Sequence, residues 1–268
     1  MRTQKQKRKH KRSGPAVIPI IIAGIILTVL LLHIDWNTHR SSVLDSVQPA
    51  TRQALTAFAK EHHLALEEWP ESFIELLDKN PETRDFVLYY PLKKDLKPDI
   101  DLSEYANCDE VPLFLQWDER WGYSEYAGEA MGLSGCGPTC LSMVSMYILD
   151  DPKYTPRYIA DFAEGNGFSV PGSGSSWTLV SEGGKMLGLD ITEIPLVETR
   201  IIDNLEVGNP IICVMGPGDF TSTGHFIVMT GYTEGKIKIN DPNSPVRSEK
   251  LWEYDDIKAQ IRNLWVCR

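Results

Sequence analysis

Ser134-Gly135-Cys136-Gly137-Pro138-Thr139-Cys140 runs into residues 141–149 (LSMVSMYIL), a segment apolar on most sides. Proline favours the first turn of a helix, where its missing N–H costs nothing. The spacing therefore predicts a helix over 138–149, buried in the domain centre, with Cys136 at its amino terminus. A second helix is expected over 155–164, where Tyr158, Ile159 and Phe162 share a face and Arg157 and Asp161 point away. Residues 177–187 form a third despite Gly183-Gly184. Beyond them the texture shortens to strand-like runs at 191–196, 210–215, 225–232 and 236–240, separated by Gly, Pro, Asn and Asp. Helices first and strands afterwards, within one domain, give an α+β fold.

The unpaired N–H groups and macrodipole of a helix amino terminus favour a thiolate, which lowers the pKa of a cysteine placed there. Gly135 and Gly137 leave that sulfur accessible. From Cys108 to Arg268 the sequence holds a single histidine, His225, so any imidazole base in this region is already identified. The runs 225–232 and 236–240 flank Thr233-Glu234-Gly235, a short glycine-containing turn that makes a β-hairpin. Residues equidistant from such a turn face each other, which puts His225 within a residue or two of lying opposite Asp241. A histidine–carboxylate pair alone is more often a structural hydrogen bond than a catalytic one; the upstream cysteine changes that weighting. Gln116 lies on the otherwise apolar run 111–118. Its side-chain amide and the Cys136 backbone N–H could form an oxyanion hole; a surface glutamine is the alternative.

The other cysteines read differently. Cys140, one helical turn after Cys136, is a core residue, and Cys213 in the run 211–215 is a buried small hydrophobe. Cys136 and Cys140 as a zinc pair would need further ligands, and one histidine does not supply them, so no metal and no cofactor are expected. Cys108 and Cys267 bracket the domain, which makes a disulfide between its ends a hypothesis.

Working back toward the amino terminus, residues 48–63 read as an amphipathic helix with Leu55, Phe58 and Ala59 on one face. A start at Trp69-Pro70 and another at Asn80-Pro81-Glu82-Thr83 predict two short helices in tandem. The region 35–107 is expected to act as a helical spacer or cap. Residues 16–34 contain no Asp, Glu, Lys or Arg. At about 1.5 Å of rise per residue they reach close to the roughly 30 Å of a bilayer core. Seven Lys or Arg and no acid fall within residues 1–15. Basic residues stay on the cytoplasmic side, so 1–15 is read as a cytoplasmic tail, 16–34 as a single transmembrane signal anchor, and everything after Trp36 as extracellular.

The 268 residues have a formal net charge of −10, and outside the basic tail 20 basic residues stand against 37 acidic ones. So acidic a body, with no basic stripe, excludes nucleic acid as a partner. The composition leaves the oligomeric state open.

Taken together, Val111-Pro112 with Gln116, Gly135-Cys136-Gly137-Pro138-Thr139, Gly224-His225-Phe226-Ile227-Val228 and Asn240-Asp241-Pro242 resemble, in this order, the papain-fold cysteine peptidases related to the bacteriocin-processing, double-glycine peptidases of bacteria. The resemblance covers residues 108–268. It implies Cys136 as nucleophile, His225 as base, Asp241 as its orienting group and Gln116 as oxyanion donor. It also implies a substrate cleft formed by Gly135, Gly224, the stretch Gly172-Ser173-Gly174-Ser175-Ser176-Trp177 and the loop Gly216–Phe220, although Trp177 could equally be core. Those processors precede a transporter on the cytosolic side, whereas this chain reads as carrying one span and an outward-facing domain. The expectation is a membrane-anchored, extracytoplasmic thiol hydrolase acting on a peptide or protein. The alternatives are an acyltransferase or transpeptidase on cell-wall peptide, and a catalytically silent papain-like binding module.

Overall fold

The computed structural model describes residues 43–268, so the expected basic tail (1–15) and apolar span (16–34) lie outside the described residues. Among the described residues no helix is long and apolar enough to cross a membrane. The chain divides after Arg52 into two units. Helix α1 (Pro49–His62) starts in the first of them; residues 53–268 carry the rest.

Three further helices follow: α2 (Glu71–Lys79), α3 (Arg84–Leu88) and α4 (Tyr90–Lys93). The start read at Asn80-Pro81-Glu82-Thr83 opens as one 3₁₀ turn over Pro81–Thr83 that runs directly into α3, giving the second helix of the expected tandem, with the Asn80 side chain accepting from the Glu82 N–H at 3.2 Å. These elements dock on the domain through aromatic packing. Phe86 stacks on Phe73 and, with ring centroids 4.5 Å apart, on Tyr123. Trp69, fully buried, donates its indole N–H to the Val87 carbonyl at 2.8 Å.

The helical part of the domain is α5 (Met131–Ser134), α6 (Cys136–Leu149) and α7 (Pro156–Gly165), whose N-cap Thr155 accepts from the Tyr158 N–H. The third expected helix opens as one wide π turn over Leu179–Gly183 before α8 (Gly184–Met186). Its glycines serve packing, because a Cβ on Gly184 would lie 2.9 Å from Ile191 Cγ1. Next come α9 (Glu198–Glu206), α10 (Pro245–Glu249) and α11 (Tyr254–Ile257).

Two small antiparallel pairs stand beside the helices: β1 (Glu125–Tyr126) with β2 (Glu129–Ala130), and β3 (Ser169–Val170) with β4 (Gly174–Ser175). The main sheet comprises β5 (Ile191–Glu193), β6 (Ile211–Met215), β7 (His225–Thr233), β8 (Lys236–Asn240), β9 (Leu251–Trp252) and β10 (Ile261–Cys267). Its strand order is β5-β10-β6-β7-β8-β9, antiparallel throughout. The α+β class expected from the sequence is the one observed.

Both faces of the sheet are covered, which is why β6 is apolar at every position. Ile212, Val214, Phe226 and Val228 join the cluster of Leu141, Met143 and Val144 from α6. Ile211, Cys213, Ile227 and Met229 join Ile201 and Leu205 of α9. The proposed bridge between Cys108 and Cys267 does not form, since both are free thiols. Cys267 is buried on β10, paired with Ile191, while Cys108 follows Asn107, whose N–H is tied to the Asp150 carboxylate at the end of α6.

Candidate active site

Cys136 is the first residue of α6, with Gly135 as its N-cap. Gly137 adopts ordinary helical geometry but has no room for a side chain, because a Cβ there would sit 2.4 Å from Ser175 Oγ. That close approach brings β4 against the helix start and makes Ser175 a wall of the cleft beside the sulfur. Ser175 Oγ is fixed from behind by the buried Tyr126 hydroxyl at 2.7 Å.

The hairpin delivers the other two groups. Its turn has two residues, Glu234 and Gly235, both at positive φ, closed by the pair Thr233 and Lys236. This left-handed pair matches the strand twist. The register places Val228 opposite Asn240. Continued by one residue, it sets Asp241 across from Ile227 and makes it a diagonal neighbour of His225. The side chains close the remaining gap, with His225 Nε2 2.7 Å from Asp241 Oδ1. The acceptor fixes the tautomer, so Nε2 carries the proton and Nδ1 is the ring nitrogen left for Cys136.

Asp241 is completely buried, and its negative charge is matched on every side. Oδ1 also accepts from the Asn243 N–H at 2.8 Å, Oδ2 accepts from Arg247 Nε at 2.5 Å, and its own N–H donates to Ser248 Oγ at 2.8 Å. A buried carboxylate is tolerable only with such a set of partners.

Burial would push the Cys136 thiol up, but the hydrogen bond and positive charge of His225, with the N–H groups of Phe226 and Gly137, outweigh it and hold the pKa below the usual thiol range. For His225 burial acts to lower the pKa; the Asp241 carboxylate and the Cys136 sulfur overcome it and raise it above the ordinary imidazole range. Asp241 is held low against burial by His225 and Arg247. Both shifts run in the direction that favours a thiolate and an imidazolium over the neutral pair. Of the five cysteines Cys136 is the one held low, burial driving Cys108, Cys140, Cys213 and Cys267 upward.

A cleft of about 330 Å³ opens on the pair, lined by Ser173, Ser175, Trp177, Thr223, Gly224 and Phe226 among others. Trp177 stands at its rim, 46% exposed, edge-on to Trp265. Gly174 and Ser176 do not line it. Gly174 lies under Ser134, its Cβ position 2.8 Å from the Ser134 carbonyl, and the Ser176 hydroxyl turns to Thr178. The loop Gly216–Phe220 also faces elsewhere, since the Asp219 N–H is bound by Gln260 and Phe220 is buried against Trp252. Gln116 is buried, its N–H donating to the Pro242 carbonyl at 2.7 Å and its Nε2 to the Gly132 carbonyl at 2.8 Å, so that it braces the site without lining the cleft. Its Oε1 has no hydrogen-bond partner.

Sequence reading missed Val214 and Thr223 of the cleft and, more consequentially, Arg247 and Ser248, which hold Asp241. A signal was present: Ser244-Pro245 is an N-cap followed by proline at the first helical position, which sets Arg247 and Ser248 one turn on.

Among solved structures, the peptidase domain of Streptococcus ComA, described as a bi-functional ABC transporter involved in a quorum-sensing pathway, is 18% identical, with a TM-score of 0.41 over 58% of this chain and 96% of that one. A C39-like peptidase of Bacillus anthracis is 14% identical, with a TM-score of 0.36 over 64% of this chain and 98% of that one. No curated protein matches the chain. The model of the Peptidase_C39 like family matches residues 108–267, a span that holds the cysteine helix, the hairpin and the cleft, and the chain accordingly belongs to the Peptidase_C39 like family.

Proposed function

We propose that the chain is a cysteine peptidase, anchored in the cell membrane by residues 16–34 with its amino terminus cytoplasmic and residues 108–268 working outside. Cys136 is the nucleophile, His225 the acid and base, and Asp241 the group that orients the imidazole. The single observation that carries the reading is the geometry, with His225 held 2.7 Å from Asp241 and Cys136 at the first position of α6, all three opening on or standing behind one cleft.

In this mechanism the Cys136 thiolate attacks a peptide carbonyl carbon, and the C=O electrons move to oxygen. The Cys136 backbone N–H meets that oxyanion. His225 transfers its proton to the departing amine nitrogen as the C–N bond breaks. Water, deprotonated by the now neutral His225, hydrolyses the thioester and restores the thiolate. Asp241 holds one tautomer throughout. The anchor is supported by the uncharged run at 16–34 behind a tail of seven basic residues.

The test is peptide-library cleavage by the full chain beside its Cys136→Ala variant. Cleavage by the unaltered chain, and loss of both cleavage and iodoacetamide labelling at position 136 in the variant, is the expected result. Equal cleavage by both would overturn the assignment.

A further inference from the structure

The loop that presents Asp241 is gripped by side chains from the segment that precedes the family-matched region. Asn80 Nδ2 donates to the Asn243 carbonyl at 2.7 Å and to Asn243 Oδ1 at 3.2 Å. One oxygen of the Glu82 carboxylate accepts from the Ser244 hydroxyl and the other from the Val246 N–H at 3.0 Å. Both contacts fall on the first turn of α10. That helix has five residues, Pro245–Glu249, too few to be stable by themselves. Its early N–H groups have no partner within the helix; Glu82 supplies one for Val246, and Ser244 Oγ another for Arg247 at 3.0 Å.

What α10 carries is the support of the buried carboxylate: Arg247 Nε on Asp241 Oδ2, and Ser248 Oγ receiving the Asp241 N–H. The connection is continuous, from Glu82 to Ser244 and Val246, through Arg247 to Asp241, and from Asp241 to His225. We propose that Glu82 is a positioning residue for the His225–Asp241 pair, so that residues 71–93 form a working part of the peptidase and not a passive spacer. The inference rests on the reading of Cys136, His225 and Asp241 as the catalytic groups.

The physical prediction concerns the proton on His225. With α10 unanchored, Arg247 and Asp241 lose their fixed aim, and the carboxylate raises the imidazole less. Part of the population then reverts to neutral thiol and neutral imidazole at neutral pH, and the thiolate is complete only at higher pH.

The experiment compares iodoacetamide alkylation of Cys136 at pH 7 and pH 10 in the full chain and in its Glu82→Ala and Lys93→Ala variants, with thermal unfolding of each. Lys93 pairs with Glu119 at 2.5 Å and so also joins the preceding segment to the domain, but with no connection to α10. For Glu82→Ala the pH 7 to pH 10 rate ratio is expected to fall about twofold or more, as when the neutral thiol and imidazole become at least as populated as the ion pair at pH 7, with Glu82→Gln falling between. For Lys93→Ala the ratio should stay at the unaltered value. If Glu82→Ala lowers the melting temperature but leaves the ratio unchanged, Glu82 is merely structural and the inference is overturned while the catalytic reading stands. If the unaltered chain itself shows no reactive thiolate at pH 7, the catalytic reading falls and the inference with it. Should Glu82→Ala fail to fold, Ser244→Ala breaks the same link from the other side and is read by the same ratio.

Discussion

Arg247 and Asp241 form an ion pair at 2.5 Å between a partly exposed guanidinium and a carboxylate with no exposure at all. The arrangement leaves the arginine head near water while the acid reaches inward to His225, and it fixes how the site responds to pH.

Replacing Arg247 by alanine should make the fold more sensitive to acid. Asp241 is held below the usual carboxylate range, so its contribution to stability is present above about pH 4 and is lost as pH falls through its folded value. Without Arg247 that folded value rises, and acid unfolding followed by circular dichroism should begin at higher pH than in the unaltered chain. His225 has the opposite sign: its contribution is full below about pH 6.5 and disappears as pH rises through its raised value.

For Asp241→Asn, peptide turnover should drop by about 10²- to 10⁴-fold. Burial alone lowers the His225 pKa, and Asp241 contributes more than Cys136 to reversing this. The basic limb of the pH–rate profile should therefore move to lower pH, which steady-state kinetics across the range would show. A basic limb that stays in place would contradict the role given to Asp241.

Gln116→Ala separates transition-state support from bracing. As an oxyanion donor, Gln116 should lower kcat by about 10²- to 10³-fold when removed, with iodoacetamide alkylation of Cys136 little changed. If it only anchors the Gly132 carbonyl, the melting temperature should fall and kcat should not.

Phe86 is expected to be a large single contributor to the attachment of the preceding helices. It is buried, and its ring occupies the space over both Gly122 and Gly132, where an added Cβ would lie 2.8 Å and 2.5 Å away. Phe86→Ala should cost about 3–5 kcal/mol in denaturant unfolding. Gly132→Ala should cost about 1–3 kcal/mol by overpacking the same contact from the other side.

Much of this site could be read from local signals. A glycine–proline pair after Cys136 marks a helix start, and a two-residue turn between alternating runs sets a register that brings Asp241 to His225. Both signals act within a few residues of the groups they position, so one sequence suffices to see them. For Arg247 the Ser244-Pro245 start marks the helix but not what the guanidinium meets, and Glu82 is marked only as an acid in a helix start. Each is a charged residue in a polar, proline-containing stretch, where a solvated surface is the ordinary reading. The partner of Glu82 is set by tertiary packing, since Ser244 lies 162 positions away, and that of Arg247 by the turn between Asp241 and α10. The loop Gly216–Phe220 failed for the related reason that glycines close to a histidine strand do not reveal which way their backbone turns; Gln260 decides it.

The place of β10 in the sheet bears on what happens when the chain is cut short. β5 and β6 are successive strands of the main sheet, yet they do not touch, because residues 261–267 lie between them. A chain ending before Ile261 would leave β6, five apolar residues in a row, with one side of its backbone unpaired, a ready template for pairing with another molecule. Truncation of this protein at its carboxyl end should therefore be recognised by insoluble product, and nonsense variants lost to aggregation before their chemistry could be assayed.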